Sequence, residues 1–562
     1  MKKFLVIIFF SSVMLYNSAA LLATNDKDKT KPAQKAPADQ SQISPKRPIP
    51  PDYVKKLKET KLPALQLSRF PKKRLGRAVL EGIGHFIYAT SSYWIRQDVM
   101  KEDWEYQFTW ADQKRRFLFI DGMRFDSNTF EFNWTHAGAG AIYYNYARSN
   151  HLNPLTSFLY TVTASYAWEF FVEFKEVVSI NDMICTPIGG VSIGEAFFQL
   201  GRFFRSQKPT LLNRIARFAS NPILSFSDWI DHKKYKDTNQ YAWTEDYPYD
   251  CSINLSPRFD TLLGNDTNSY LNMGIESQFI LIPEYGSVGA YSQGVNHPFF
   301  TQLDVAISMS TKGVYEFDAY AKSVFFGYFK QNIRSATHPD SSNNEIANTS
   351  TDDRIGYSFF LGAASAFNLI TQDPNRIPSS KNSPDMTQYE YLTDKLSIIH
   401  LCGPTVDFSL YHRGLILRLT ADAFVDFALS KSHAYKKYSE LHTIGQTKST
   451  LQNHGYYYGF GLTLASALQL DYANFQLKGK AKYHYYDSIE GLDRFQKTMP
   501  PQNDFDLQDQ RFSYNLNLGY RLPKTDVQFA IGYDHFNYKG VIENFTQKHG
   551  EHRMYFQVKY LL

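Results

Sequence analysis

From about Ser252 to the end of the chain, apolar and polar residues alternate at a period of two, and no other feature constrains the fold as tightly. Phe512, Tyr514, Leu516, Leu518, Tyr520 and Leu522 alternate with Arg511, Ser513, Asn515, Asn517, Gly519 and Arg521. Phe475, Leu477, Ala481, Tyr483 and Tyr485 face one way, and Lys478, Lys480, Lys482 and His484 the other. The same pattern runs through Leu303–Met309, Leu415–Phe427 and Val527–Tyr533. Successive side chains on a strand point to opposite faces, so each segment is a strand with one apolar and one polar side. Such strands also suit a soluble sandwich. A transmembrane barrel fits better, because the segments approach the ~9–11 residues that a tilted strand needs to cross a bilayer. Their polar sides also carry charge, as in the Lys478–Lys480–Lys482 row, which suits a wet lumen.

The final strand puts Met554, Phe556, Val558, Tyr560 and Leu562 on one face. This is similar to the terminal signal read by the barrel assembly machinery of Gram-negative outer membranes, with Leu562 in place of the usual Phe. Roughly twelve strands are expected. Short turns at Ser310–Gly313, Tyr411–Gly414, Leu470–Tyr472 and Leu522–Asp526 are assigned to the periplasmic side. Long loops near Gln331–Asp353, Thr371–Lys395, Ser430–His454 and Ile489–Gln510 are assigned to the extracellular side. The alternation of short and long connections fails before Tyr411, where one strand is missed or misplaced.

The other end of the chain reads as an export address. Lys2 and Lys3 precede an apolar run from Phe4 to Leu15, with small residues at Ser18-Ala19-Ala20, so residues 1–20 read as a signal peptide. Residues 21–63, rich in Lys, Asp, Gln, Ser and Pro, cannot bury a core and read as a disordered linker. The net formal charge of +5 is small for 562 residues and argues against a nucleic-acid partner. Three cysteines, Cys185, Cys251 and Cys402, lie far apart and lack metal-site spacing.

Residues 64–250 read as mainly helical, with helices expected near Thr135–Ser149, Leu155–Val178, Gly190–Arg205 and Leu211–Phe218. Gly190 and Gly194 form a small-x-x-x-small pair that admits a close neighbour. Thr156–Phe174 carries Glu169 and Glu173, costly inside a membrane, so a soluble or interface-bound domain is expected. Ser157, Thr161, Ser165, Glu169 and Glu173 recur every four residues and form one polar stripe.

Asp121-Gly-Met-Arg-Phe-Asp126, Asn133-Trp-Thr-His136-Ala-Gly138, Tyr143-Tyr144 with Ala147-Arg148, Trp168-Glu169, Ser179-Ile180-Asn181-Asp182 and Gly194-Glu195 follow one another in order. The set resembles an uncharacterised bacterial envelope family, the domain of unknown function numbered thirty-nine forty-three, over roughly Phe117 to Phe204. Ala137 departs from the Pro expected after the histidine. The resemblance implies an envelope protein, often with a barrel, and no particular reaction.

A polar stripe buried between helices must be satisfied internally. The functional reading makes Glu169 or Glu173 a general base or metal ligand, with His136 as second ligand or acid. The structural reading is a hydrogen-bonded network with Asn133, Tyr144, Arg148, Asn181, Asp182 and Glu195, in which Arg148 neutralises Glu169 or Glu173. Gly190-Val-Ser192-Ile-Gly194 matches G-x-S-x-G, but a loop and not a strand precedes it, which disfavours a nucleophile elbow. No cofactor fingerprint occurs, and the identity of any metal is left open.

The chain is therefore expected to be α+β, an N-terminal helical domain followed by a C-terminal antiparallel transmembrane β-barrel over 251–562, in the outer membrane with its lipid as partner. The helical domain is expected to be periplasmic or to plug the lumen, serving envelope structure, passage or binding of an unknown ligand. The alternatives are a barrel-anchored envelope enzyme acting on lipid or glycan, and a soluble periplasmic β-domain.

Overall fold

The computed structural model describes residues 73–97, 106–118, 122–207, 209–232, 249–262, 266–282, 285–336, 353–373, 393–444, 447–493 and 504–562. The expected signal peptide and linker lie outside the described residues. The strands are β1 (Met123–Arg124), β2 (Val178–Ser179), β3 (Tyr249–Leu262), β4 (Asp266–Ile280), β5 (Gly289–Val295), β6 (Phe300–Ser310), β7 (Gly313–Ser335), β8 (Arg354–Gln372), β9 (Asp394–His412), β10 (Leu415–Lys431), β11 (Tyr456–Tyr472), β12 (Phe475–Ser488), β13 (Leu507–Arg521), β14 (Val527–Ile542) and β15 (Phe545–Leu561). β1 and β2 form a small parallel pair. β3, β4 and β6–β15 close into a twelve-stranded antiparallel barrel through the β15–β3 and β7–β8 pairings. β5 lies outside this ring, paired with the part of β7 that extends beyond β6.

No strand is missed around Arg354–Leu369; the expected end of two connections changes instead. β7, β8 and β9 pair antiparallel in sequence order, so the Ser310–Gly313 turn falls at the opposite end from the Arg413-Gly414 turn. β7 ends and β8 begins at the end of the barrel that holds Leu561. Arg413 and Gly414 both have positive φ (46° and 85°), which suits a two-residue hairpin turn.

Polarity is inverted relative to a soluble sandwich. The outward face exposes Leu462, Leu464, Leu468, Leu477, Leu516, Leu518, Ile531, Met554 and Phe556. Inward side chains join strands five places apart in the ring at three levels. Gln372 of β8 donates to Glu551 of β15 at 2.9 Å, the Lys482 ammonium lies 4.8 Å from the Tyr320 ring centre, and Arg418 of β10 donates to Gln278 of β4 at 3.2 Å. Lys478, Lys480 and Lys482 all point inward, with Glu276, Asp304 and Asp318 among the charges they face. Charges of both signs line the lumen, and the three lysines keep partial solvent access.

The helices are α1 (Leu75–Gln97), α2 (Trp110–Leu118), α3 (Phe130–Ser149), α4 (Pro154–Ala167) with a π turn at Trp168–Val172, α5 (Ile180–Ile184) with a π turn at Cys185–Gly189, α6 (Gly190–Ser206), α7 (Leu211–Ser220) and α8 (Pro222–Ile230), with α9 (Tyr435–Leu441) and α10 (Ser449–His454) in the β10–β11 loop. Side-chain caps start six of them: Thr109, Thr129, Asn153 ahead of Pro154, Ser179, Thr210 and Asn221 ahead of Pro222. α1 and α8 were not separated by the sequence reading.

The bundle is neither beneath the barrel nor inside it. Tyr456 and Tyr458 share the outward face of β11 with exposed Leu462 and Leu464, yet both are fully buried, because α3 covers them. Phe279, on the same face of β4 as exposed Ile275, packs against Phe203 of α6 at 5.7 Å between ring centres. Ser192 of α6 meets Ser365 of β8 at 3.1 Å. The helices therefore lie along the outer wall of the barrel. They are also inside out. α4 buries Ser157, Thr161 and Ser165 while Leu155 and Leu159 are 67% and 54% exposed, and α1 buries Ala78 while Leu80, Ile83, Ile87 and Ile95 are exposed. A helix facing water does the reverse. The stretch Ile180–Ser206 is long and apolar enough to cross a membrane, and most of it is buried.

Candidate functional site

The polar side chains of the bundle separate into two clusters. The first gathers where α3, the α4 π turn and α5 meet the barrel. His136 Nδ1 lies 3.0 Å from the Asn133 carbonyl and 3.2 Å from Asp182 Oδ1, so it sits between two acceptors and carries the ring proton. Nε2 is then left as an acceptor, and it meets no hydrogen-bond partner among the described residues. Asn181 donates to Asp182 Oδ1 at 2.8 Å and accepts the Asp126 N–H at 2.9 Å. The Ser179 N–H donates to Glu169 Oε2 at 3.0 Å, and its hydroxyl donates to Asn181. Asp126, Glu169 and Asp182 are all buried, with the Ser179 N–H against Glu169 and His136 against Asp182.

The barrel completes this cluster. Asn133 donates to the hydroxyls of Tyr456 and Tyr458, and these donate in turn to the carbonyls of Asn128 (2.6 Å) and Asp126 (3.0 Å). Phe125 donates its N–H to the Leu492 carbonyl at 2.8 Å and stacks on Tyr458. The tyrosines were legible only as a break in pattern, since Tyr456-Tyr457-Tyr458 puts aromatics on both faces of one strand. Arg116, also missed, is fully buried and donates to the carbonyls of Glu169, Phe170, Glu173 and Glu176, closing the C-terminal end of α4 and its π turn.

The second cluster lies between α3 and α6. Glu195 accepts from Tyr144 Oη (2.7 Å), Arg148 Nε (2.8 Å), a second Arg148 nitrogen (3.1 Å) and Gln199 (2.5 Å). Arg148 was expected to neutralise Glu169 or Glu173; it is held by Glu195 instead. Nor does Glu173 complete the four-residue stripe. Ser157, Thr161, Ser165 and Glu169 are buried on one face, but the π turn at Trp168–Val172 inserts an i→i+5 step that rotates Glu173 off it. Glu173 is half-buried and accepts from its own Trp168 indole at 2.8 Å. His136, Glu169, Asn133, Asn181 and Asp182 thus share one site with the unforeseen Asp126, whereas Tyr144, Arg148 and Glu195 form another.

Glycine makes the α3–α6 crossing this close. A Cβ on Gly190 would sit 2.5 Å from the Gly140 carbonyl carbon, and one on Gly194 would sit 2.7 Å from the Tyr144 ring. Ser192 is buried in α6 and bonds Ser365 and the Ile188 carbonyl, with no histidine beside it, so the G-x-S-x-G match is a packing motif. Among the described residues, no three His, Cys, Asp or Glu side chains are arranged to hold a metal ion.

Solved structures with similar barrels include the NanC porin (9% identity, 55% of this chain and 100% of that chain, TM-score 0.22). Others are OmpT of Vibrio cholerae (7% identity, 57% and 99%, TM-score 0.20) and the translocator domain of the autotransporter NalP from Neisseria meningitidis (8% identity, 60% and 96%, TM-score 0.20). Likenesses this slight add nothing to the strand pairing, which establishes the barrel by itself. No curated protein matches the chain. Residues 122–223, which supply the helical side chains of both clusters, match the family described as Domain of unknown function (DUF3943), and the chain carries that domain beside a twelve-stranded barrel.

Proposed function

We propose that this protein is an outer-membrane barrel that works on the lipid side of its wall and not through its lumen. One observation carries the reading: strands and helices alike turn apolar side chains outward and polar side chains inward, as only a protein surrounded by lipid does. Three sets of side-chain contacts span the lumen, which disfavours passage. The barrel serves as the support, and the inside-out helices form a flank in the same bilayer, held by the Asn133–Tyr456–Tyr458 contact. The test combines cell fractionation, gel mobility before and after boiling, and conductance in a planar bilayer. Outer-membrane recovery, a mobility shift and no steady conductance are expected. Recovery in the soluble periplasm, or a stable open channel, would overturn the reading.

His136 favours a second reading, an envelope enzyme acting on lipid. Its Nδ1 is oriented by Asp182 while the ring remains partly accessible, the arrangement of a general base whose Nε2 faces a substrate. A His136→Gln protein that stays folded in membranes but fails to change a lipid that the wild type changes would support it. Unaltered lipid with both proteins would count against it.

A further inference from the structure

Exposed aromatic side chains mark the end of the barrel that holds Leu561. Tyr472, Phe475 and Tyr520 pair across neighbouring strands there, and Tyr560 and Tyr249 lie at the same end of β15 and β3. In membrane barrels such girdles sit at the level of the lipid headgroups. Phe203 of α6 lies 4.7 Å from the Tyr249 ring, so α6 ends at this level and α7 follows it. Asn221, at the end of α7, returns to Gly201, where an added Cβ would sit 2.7 Å from it. α7 therefore stays beside the last turns of α6.

α7 is inside out like its neighbours. At about 100° per residue, Leu211, Leu212 and Ile215 fall on one side of the helix, and Asn213, Arg217 and Ser220 on the other. The three apolar residues are each more than half exposed, whereas Ser220 is buried and Arg217 is held by Asp228. A helix facing water would turn the other way. On α8, Phe226 and Trp229 stack on each other and are exposed as well. Positive charge accompanies this apolar surface. Between Gly201 and Ile230 the described residues hold Arg202, Arg205, Arg214 and Arg217 against one carboxylate, Asp228. Asp231, next along the chain, is already held by Arg74 and Arg77.

We infer that α7 lies in the headgroup layer of the periplasmic leaflet, with Leu211, Leu212 and Ile215 among acyl chains and the arginine excess against anionic phospholipid. An interfacial helix gains from both, by burying its apolar side and by attracting anionic headgroups. The leaflet follows from the fold. The short turns at Arg413-Gly414 and Ala473-Asn474 share the end that holds Leu561, and short turns face the periplasm. This rests on the reading that the outward wall faces lipid.

The experiment places a spin label at Leu212→Cys in a Cys402→Ser background, since Cys185 and Cys251 are buried. The full chain is reconstituted into vesicles of phosphatidylcholine with phosphatidylglycerol. Collisions of the label with oxygen, which partitions into lipid, should exceed those with a water-soluble nickel chelate. Native mass spectrometry in neutral detergent should show phosphatidylglycerol retained over phosphatidylcholine and over lipid A. Arg214→Gln should weaken that preference about 5-fold, the factor one surface arginine supplies against an anionic lipid. A label open to the nickel chelate, or one shielded from both probes by a second copy of the chain, would overturn the assignment. So would equal retention of the lipids, or an unchanged preference in Arg214→Gln. Each protein is first checked for its boiling-dependent mobility shift. Loss of that shift in wild type refutes the membrane reading, whereas a shifted protein with α7 in water refutes this inference alone.

Discussion

Removing the Glu195 carboxylate should loosen α6 from α3 before the barrel itself opens. Glu195 is fully buried, and its two oxygens receive four donors, two of them from Arg148. Glu195→Leu leaves a guanidinium beside apolar α6 with only the Leu152 carbonyl (2.8 Å) and the Phe198 ring (4.5 Å) to receive it. Breaking a buried ion pair from one side costs about 3–5 kcal/mol, because the stranded charge keeps its desolvation penalty. Arg148→Met costs a similar amount by stranding the carboxylate. Replacing both, Arg148→Met with Glu195→Leu, removes both charges and should fall within about 2 kcal/mol of wild type. Domains are stable by only about 5–15 kcal/mol, so either single change takes much of the reserve. Hydrogen exchange of α3 and α6 in detergent measures it, with the boiling-dependent gel shift reporting the barrel separately. Fast exchange in both single variants, rescue in the double variant and an unchanged barrel are expected. Wild-type protection in Glu195→Leu, or no rescue, would refute the reasoning.

Leu477 is half exposed on the outward face, and Leu477→Arg should cost about 2–4 kcal/mol near the midplane, read from urea unfolding in lipid. Lys480→Leu would be mild in a wet lumen. Here Glu276 and Asp304 face Lys480, so a comparable loss is expected, and an unchanged midpoint would count against that pairing. Gly190→Val should detach α6 from α3, seen as new protease cleavage in the bundle; an uncut variant would show that the crossing tolerates a side chain. Asp493, in the loop after β12, bridges to Phe125, and burial pushes its carboxyl up to about 6. A raised carboxyl stabilises fully below its unfolded value, and that contribution is lost as pH rises through about 6. The bundle–loop contact should therefore exchange more slowly at pH 5 than at pH 7.5, and Asp493→Asn should abolish the difference; a pH dependence retained in that variant would assign it to another group.

The alternation at period two was enough for the strands, their two faces and the inward lysines, because on a strand neighbouring residues alone decide which side a residue takes. The four-residue recurrence likewise placed Ser157, Thr161, Ser165 and Glu169 on one face of α4, and the glycines marked a close crossing. Where that recurrence failed, at Glu173, the cause was a π turn, which depends on what the backbone packs against and leaves no mark in spacing. Partner choice was beyond local pattern altogether. Arg148 could have met Glu169, Glu173 or Glu195, and only the crossing of α3 over α6 at Gly140 and Gly190 brings it to Glu195. The same holds for the position of the helices. A sequence reveals that α4 has a polar and an apolar face but not which face is buried. Water and lipid reverse that answer, and the barrel wall, through Tyr456 and Tyr458, decided it.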